Sequence, residues 1–261
     1  MPNEIKVDRT EGIVQIILNR PEALNALNSP LLRAFKQALD EVNRDGSVDA
    51  VVISGAGRAF CAGMDLKESA ESFEHYRLAD EVFDLIPRLE PPVIFAINGF
   101  CITGGMELAL LGDMVVASED AVFRDTHAQA GVTPGGGATQ RLPRLVGEKK
   151  AKEILFTSRF ITAREAESIG LVNKVVPAGK LRDEAMQMAK AVASQPRQVI
   201  REIKRMVNIG MGMDFSSAMM YEKVEHRRFF ENVYKPAQKE LAQRGRKVIR
   251  EGSSKAKGMT R

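Results

Sequence analysis

Three observations predict an α/β fold. Apolar runs of strand length alternate with helix-period stretches between Ile13 and Ile97, proline and glycine punctuate their boundaries, and from about Glu148 onward the pattern becomes helical. The 261 residues suffice to bury a sizeable core as one large domain with an appended segment. Taken in order, Ile13 to Leu18 alternates as a strand, and Ser29-Pro30 opens a helix reaching about Val42, with Leu31, Leu32, Phe35, Leu39 and Val42 on one face. Val51 to Ser54 reads as a strand, Tyr76 to Ile86 as a helix, and Val93 to Ile97, after Pro91 and Pro92, as a buried strand ending at the turn Asn98-Gly99. A helix follows from near Gly104 through Leu111.

The second half is predicted helical over Ala151–Thr157, Ala163–Ile169, Leu181–Ala193, Val199–Met206 and Asp214–Phe230, with breaks at Gly170, Pro177 and Pro196. The domain boundary is expected near residue 195, with 196–261 a C-terminal helical region and basic tail. Met206, Met211, Met213, Met219 and Met220 read as helix packing in preference to an adaptable acyl-contacting or interhelix surface.

Composition narrows the function. Aromatic residues make up 6% of the chain and tryptophan is absent, which argues against a base-stacking surface. Two cysteines, Cys61 and Cys101, are too few for a disulfide framework, and their small apolar neighbours predict buried thiols. His75, His127 and His226 are dispersed without zinc-ligand spacing, so no metal is expected. The N-terminus lacks a secretory apolar core and no apolar run reaches membrane-spanning length, which predicts a soluble cytoplasmic protein. Residues 235–261 carry nine Lys or Arg against two Glu, a net of +7, which leaves the rest of the chain at −3 within an overall +4. That tail reads as a solvated terminus, with attraction of a polyanion as the functional alternative.

Two stretches carry chemistry. Gly55 to Leu66 is a loop of small residues after a strand, and its glycines fit neither the dinucleotide fingerprint nor the phosphate-loop pattern. Gly99 to Glu107 places two glycines at a helix start, where backbone N–H groups lack intrahelical acceptors, and a carboxylate three residues past Gly104. Because helical side chains lean toward the N-terminus, the Glu107 carboxylate is expected over the same space as the Gly104 amide. An ordinary first-turn glutamate favoured by the helix dipole is the competing reading.

These segments, with Leu18–Leu27, Gly131–Gly135 and Thr139–Leu142, resemble the crotonase superfamily, the enoyl-CoA hydratase/isomerase family, over most of the chain. The resemblance implies a spiral of ββα turns with a trailing helical region that supports a trimer or dimer of trimers. It implies an acyl-CoA thioester substrate, with coenzyme A part of the substrate and no separate cofactor; no membrane partner is expected, and the composition disfavours nucleic acid as a partner. The reaction implied is addition of water to an α,β-unsaturated acyl-CoA. Negative charge on the thioester oxygen is stabilised by the amides of Met64 and Gly104, matching the family's oxyanion hole. Ala62, Asp65 and Leu66 match its adenine and pantetheine path, with Glu22 and Ala23 at the edge and Lys67 either a phosphate partner or a surface lysine.

Glu107 matches one of two catalytic glutamates; the position of the second holds His127. Glu107 as base with His127 as acid forms one pairing. If His127 only shapes the pocket, the chain is a single-carboxylate isomerase or hydrolase, or a weakly catalytic CoA-binding or RNA-binding relative. Asp125 is expected to face solvent, with orientation of His127 the minor alternative, and Arg124 to pair with it. His75 is expected at the surface of a variable active-site wall. No carboxylate lies within Pro134–Gly137, which disfavours an aspartyl nucleophile.

Overall fold

The computed structural model describes residues 4–69, 73–235 and 238. The chain divides into two compact units, Met1–Glu202 and Ile203–Arg261. In the first unit, strands β1 (Ile5–Thr10) and β2 (Ile13–Leu18) form an antiparallel hairpin, and helix α1 (Ser29–Arg44) follows. Asn28 caps α1 by accepting from Leu31 N at 3.0 Å, and Pro30 sits in the first turn, where its missing N–H costs nothing. The predicted face is the buried one: Leu31, Leu32, Phe35, Leu39 and Val42, joined by Ala38.

The next stretch repeats one unit three times. Strands β3 (Ala50–Gly55) and β4 (Ala59–Cys61) lead to helices α2 (Leu66–Ser69) and α3 (Phe73–Leu85). Strands β5 (Val93–Ile97) and β6 (Phe100–Ile102) lead to α4 (Gly104–Ala109), and β7 (Met114–Ser118) and β8 (Val122–Arg124) lead to α5 (His127–Ala130). At each repeat the first strand joins a six-stranded sheet ordered β1-β2-β3-β5-β7-β10 and the second a four-stranded sheet ordered β4-β6-β8-β9. This is the ββα spiral the resemblance implied. Central strands buried on both faces read as continuous apolar runs, which is why Val51–Ser54 and Val93–Ile97 were legible.

Helices α6 (Ala138–Val146) and α7 (Glu148–Thr157), strand β9 (Ile161–Thr162), helix α8 (Ala163–Ser168), strand β10 (Lys174–Val176) and helix α9 (Leu181–Ala193) complete the first unit. The purely helical expectation after Glu148 is corrected here, because β10 closes the large sheet by pairing in parallel with β7. A three-residue strand is too short to show a period. Leu181, Ala185 and Ala189 of α9 cover one sheet face with Ile13, Ala50, Ile94 and Val116, while the larger core lies on the other.

The second unit holds the later turns of α10 (Arg197–Gly210) and α11 (Phe215–Phe229), capped by Asp214, which accepts from Ser217 N at 3.1 Å. Arg205 donates to Tyr221 Oη at 2.8 Å and ion-pairs with Glu225. Met211, Met213, Phe215, Met219, Met220 and Val224 are exposed, so the expected packing of these methionines within the chain is not what forms. Apart from Lys235 and Gln238, the basic tail lies outside the described residues. No described helix is long and apolar enough to cross a membrane.

Candidate active site

Residues 62–65 leave β4 and run beside residues 24–27. Ala62 N donates to Leu24 O at 3.0 Å, Leu27 N to Gly63 O at 2.8 Å and Asp65 N to Leu27 O at 3.1 Å, an isolated parallel bridge between Leu27 and Met64. In that pattern the Met64 N–H points away from its partner strand. Gly104 N opens α4, and neither amide has a backbone acceptor among the described residues. The two segments touch: a Cβ built on Gly63 would lie 3.2 Å from Gly104 N, and one on Gly104 would lie 3.5 Å from Met64 N.

Gly105 sets this approach, since a Cβ there would stand 2.2 Å from Cys61 O. Gly105→Ala is expected to push α4 off β4 and cost about 1–3 kcal/mol, read as a lowered urea midpoint with loss of activity. Thr103, just before the helix, has φ 52° and ψ −109°, a strained backbone for a β-branched residue. It is held by Thr126, whose Oγ1 lies 2.5 Å from Thr103 Oγ1, and by donation of its own N–H to Arg124 O at 2.8 Å. The two cysteines are buried as predicted; burial pushes the Cys61 thiol up to about 12 and that of Cys101 well above its usual range, so both stay protonated.

Glu107 lies on α4, one turn from the amides, and is 3% exposed. Its Oε1 accepts from Ala138 N at 3.2 Å, at the start of α6, and its Oε2 stands 3.7 Å from His127 Nε2. The other imidazole nitrogen, Nδ1, is 2.8 Å from Asp125 Oδ2, and Asp125 Oδ1 accepts from His127 N at 3.1 Å. Asp125 is 1% exposed, which corrects its expected solvent-facing position. As a carboxylate it accepts a hydrogen bond from Nδ1–H, so it fixes the ring orientation and leaves Nε2 toward Glu107. Burial raises the Glu107 carboxyl above the ordinary 4.5, against the lowering effect of the Ala138 N–H and His127. For His127, burial opposes the charged form, but the Asp125 hydrogen bond and the Asp125 and Glu107 charges outweigh it and raise the imidazole above 6.5.

The remaining expected residues distribute unevenly. Ala62, Met64 and Asp65 lie along the 24–27 and 62–65 pairing, Ala23 sits just before it in a turn where its N–H donates to Arg20 O at 3.0 Å, and Arg20 ties Asp65 Oδ2 at 3.2 Å. Leu66 and Lys67 are exposed at the start of α2, and Lys67 N donates to Asp65 Oδ1 at 3.2 Å. His75 is 2% exposed, correcting its surface placement; its Nδ1 is 3.0 Å from Glu68 Oε2, which also accepts from Ser29 N and Oγ, so the imidazole joins α3 to α1 and α2. Arg124 does not pair with Asp125. It donates to Ser158 O at 2.6 Å and Gln129 Oε1 at 2.8 Å and lies over the Phe160 ring.

Sequence reasoning missed Asn25, which is fully buried with φ 55°. Its amide donates to Ala56 O and Ala59 O and its carbonyl accepts from Arg20 N, pinning the loop that carries Ala23. The available signal was asparagine's tolerance of the left-handed region inside the Leu24-Asn25-Ala26 turn. Among the described residues, no three His, Cys, Asp or Glu side chains are grouped to hold a metal ion.

Comparison with known proteins bears on the fold and the family. Over 224 residues the chain is 41% identical to a crotonyl-CoA hydratase of Syntrophomonas wolfei subsp. wolfei, covering 84% of this chain and 86% of that protein. The crystal structure of an enoyl-CoA hydratase from Bacillus anthracis superposes with a TM-score of 0.87 at 34% identity, covering 93% of this chain and 96% of that one. A monofunctional enoyl CoA isomerase from M. smegmatis superposes with a TM-score of 0.74 at 33% identity, covering 84% and 98%. Residues 8–245 match the enoyl-CoA hydratase/isomerase family as a whole, and the chain belongs to that family.

Proposed function

We propose that the chain hydrates α,β-unsaturated acyl-CoA thioesters. The observation that carries this reading is the pairing of Glu107 with His127 one helical turn from the Met64 and Gly104 amides. Water attacks Cβ of the enoyl group while Glu107 Oε2 takes its proton. The π electrons move onto the thioester oxygen, which accepts from the two amides, and the enolate collapses as His127 Nε2 supplies a proton to Cα. The base and acid then exchange one proton to reset. Substrate and catalyst need no separate cofactor, since coenzyme A enters as part of the thioester and lies along Ala23, Ala62, Asp65, Leu66 and Lys67.

The test is crotonyl-CoA hydration, followed by loss of the conjugated absorbance. Double-bond isomerisation is the second reading, favoured by Glu107 being, among the described residues, the one carboxylate at His127 Nε2 and by the likeness to an enoyl CoA isomerase. Turnover of a 3-enoyl-CoA with no hydration of crotonyl-CoA would select it. A CoA-binding chain inert toward both would leave a noncatalytic role, and the Asp125–His127–Glu107 chain of contacts speaks against that.

A homotrimer or dimer of trimers is part of this proposal, as is a cytoplasmic location. The exposed Met211, Phe215, Met220 and Val224 support the oligomer, because an apolar surface of this kind is costly to leave in water. Light scattering is expected to give three or six copies; a stable monomer would remove the oligomer.

A further inference from the structure

The backbone ladder between β6 and β8 ends at the pair Ile102 and Arg124. Just beyond it stand Thr103, the N-cap of α4, which carries Glu107, and Thr126, the N-cap of α5, which begins with His127. A threonine at an N-cap ordinarily turns its hydroxyl back to accept from an N–H of its own first turn. Among the described residues, neither hydroxyl does so. They meet each other instead, with 2.5 Å between the two Oγ1 atoms, and Thr103 Oγ1 also accepts from Thr126 N at 3.2 Å. With Thr103 N donating to Arg124 O at 2.8 Å, three contacts join the two segments past the end of the ladder.

This joint has a conformational cost. Thr103 sits at φ 52° and ψ −109°, a backbone that glycine adopts freely and that a β-branched residue keeps only when its surroundings hold it there. Glycine at 103 would relieve that strain but would bring no hydroxyl to Thr126. The consequence is positional. Thr103 is bonded to Gly104, whose amide faces the thioester oxygen in the proposed reaction, and Thr126 is bonded to His127, whose Nε2 supplies the proton to Cα. A shift of Thr126 therefore moves the proton donor and, through the hydroxyl pair, the amide that holds the enolate oxygen.

We infer that Thr103 and Thr126 are positioning residues whose paired hydroxyls fix His127 relative to the Gly104 amide, so that the proton donor and the oxyanion donor are set together. This rests on the proposed reaction but is also read on a bound chromophore, so that the two can fail separately. The test uses the full chain, Thr103→Val, Thr126→Val, the double valine variant, Thr103→Ser and Thr126→Ser. Valine keeps the branched shape and loses the hydroxyl; serine keeps the hydroxyl. In crotonyl-CoA hydration each valine variant is expected to lose about tenfold in kcat with KM within about twofold of the parent. The double variant loses no more than the worse single one, because the two hydroxyls act as one contact, and the serine variants stay near the parent. The second readout is sorboyl-CoA, a conjugated dienoyl thioester whose absorption band moves to longer wavelength when hydrogen bonds polarise its carbonyl. The parent is expected to shift that band, and Thr126→Val to shift it less although it lies on the His127 side. A lowered urea midpoint with unchanged kcat in the valine variants, losses that multiply in the double variant, serine variants as slow as the valine ones, or a band shift absent from the parent or undiminished in Thr126→Val overturns the assignment. A band shift that weakens in both valine variants and persists in the serine ones, without crotonyl-CoA hydration by the parent, removes the hydratase reading and leaves the positioning pair standing.

Discussion

Glu107→Gln is expected to lower the kcat of crotonyl-CoA hydration by about 10²–10⁴, the range for removing a positioned general base. Glutamine has the size of glutamate and its carbonyl still accepts from Ala138 N, so the fold survives and the loss is chemical. Stability supplies an independent check. The raised Glu107 pKa means that the folded chain holds this proton more tightly than the unfolded chain. The side chain therefore becomes a burden as pH rises through the unfolded value near 4.5 toward the folded one, and remains so above it. Glu107→Gln should be as stable as the parent at low pH and more stable at neutral pH, measured by urea midpoints at both. Activity lost with stability gained is the signature of a buried carboxylate kept for chemistry. A kcat within a few fold of the parent would remove Glu107 from the mechanism.

The second large effect is expected at His127. His127→Ala should cost about 10²–10⁴ in kcat if the imidazole is the acid, whereas a pocket-shaping residue would chiefly raise KM. Asp125→Asn separates orientation from chemistry. It keeps the hydrogen-bonding shape beside Nδ1 but removes the charge that raises the imidazole, and a charge-assisted hydrogen bond of this kind is worth roughly tenfold to hundredfold in rate. The kcat/KM profile of the parent should be bell-shaped, with an acid limb displaced above 4.5 by Glu107 and an alkaline limb displaced above 6.5 by His127. In Asp125→Asn the alkaline limb should move to lower pH while the acid limb moves little. The stability linkage has the same sign: the raised His127 pKa stabilises fully below about 6.5 and this contribution is lost as pH rises through the folded value, so Asp125→Asn should flatten that dependence. An unmoved alkaline limb would show that another group sets it.

Much of the fold was written in local pattern. The buried face of α1, the strands Val51–Ser54 and Val93–Ile97, and the helix start at Gly104 follow from period, proline placement and apolar runs. Strands β9 and β10, of two and three residues, carry no period and exist because a neighbouring strand supplies their hydrogen bonds. The repetition of the three ββα turns is likewise geometric, since each repeat alternates between two sheets without needing the same residues.

The site divides the same way. Sequence by itself determined that Glu107 lies one helical turn past a pair of glycines and that small residues flank Met64, because spacing along a chain and residue type are local properties. Only the tertiary structure decided what those residues meet. The approach of α4 to β4, permitted by a bare Gly105, sets the two amides side by side, and the return of the chain after β8 buries Asp125 against His127 and turns the imidazole toward Glu107. The same holds for His75 and Arg124, whose partners Glu68 and Ser158 are named by packing. Burial, charge and hydrogen-bond partners depend on segments far apart in sequence, and those are the terms that shift a pKa and give a carboxylate its role.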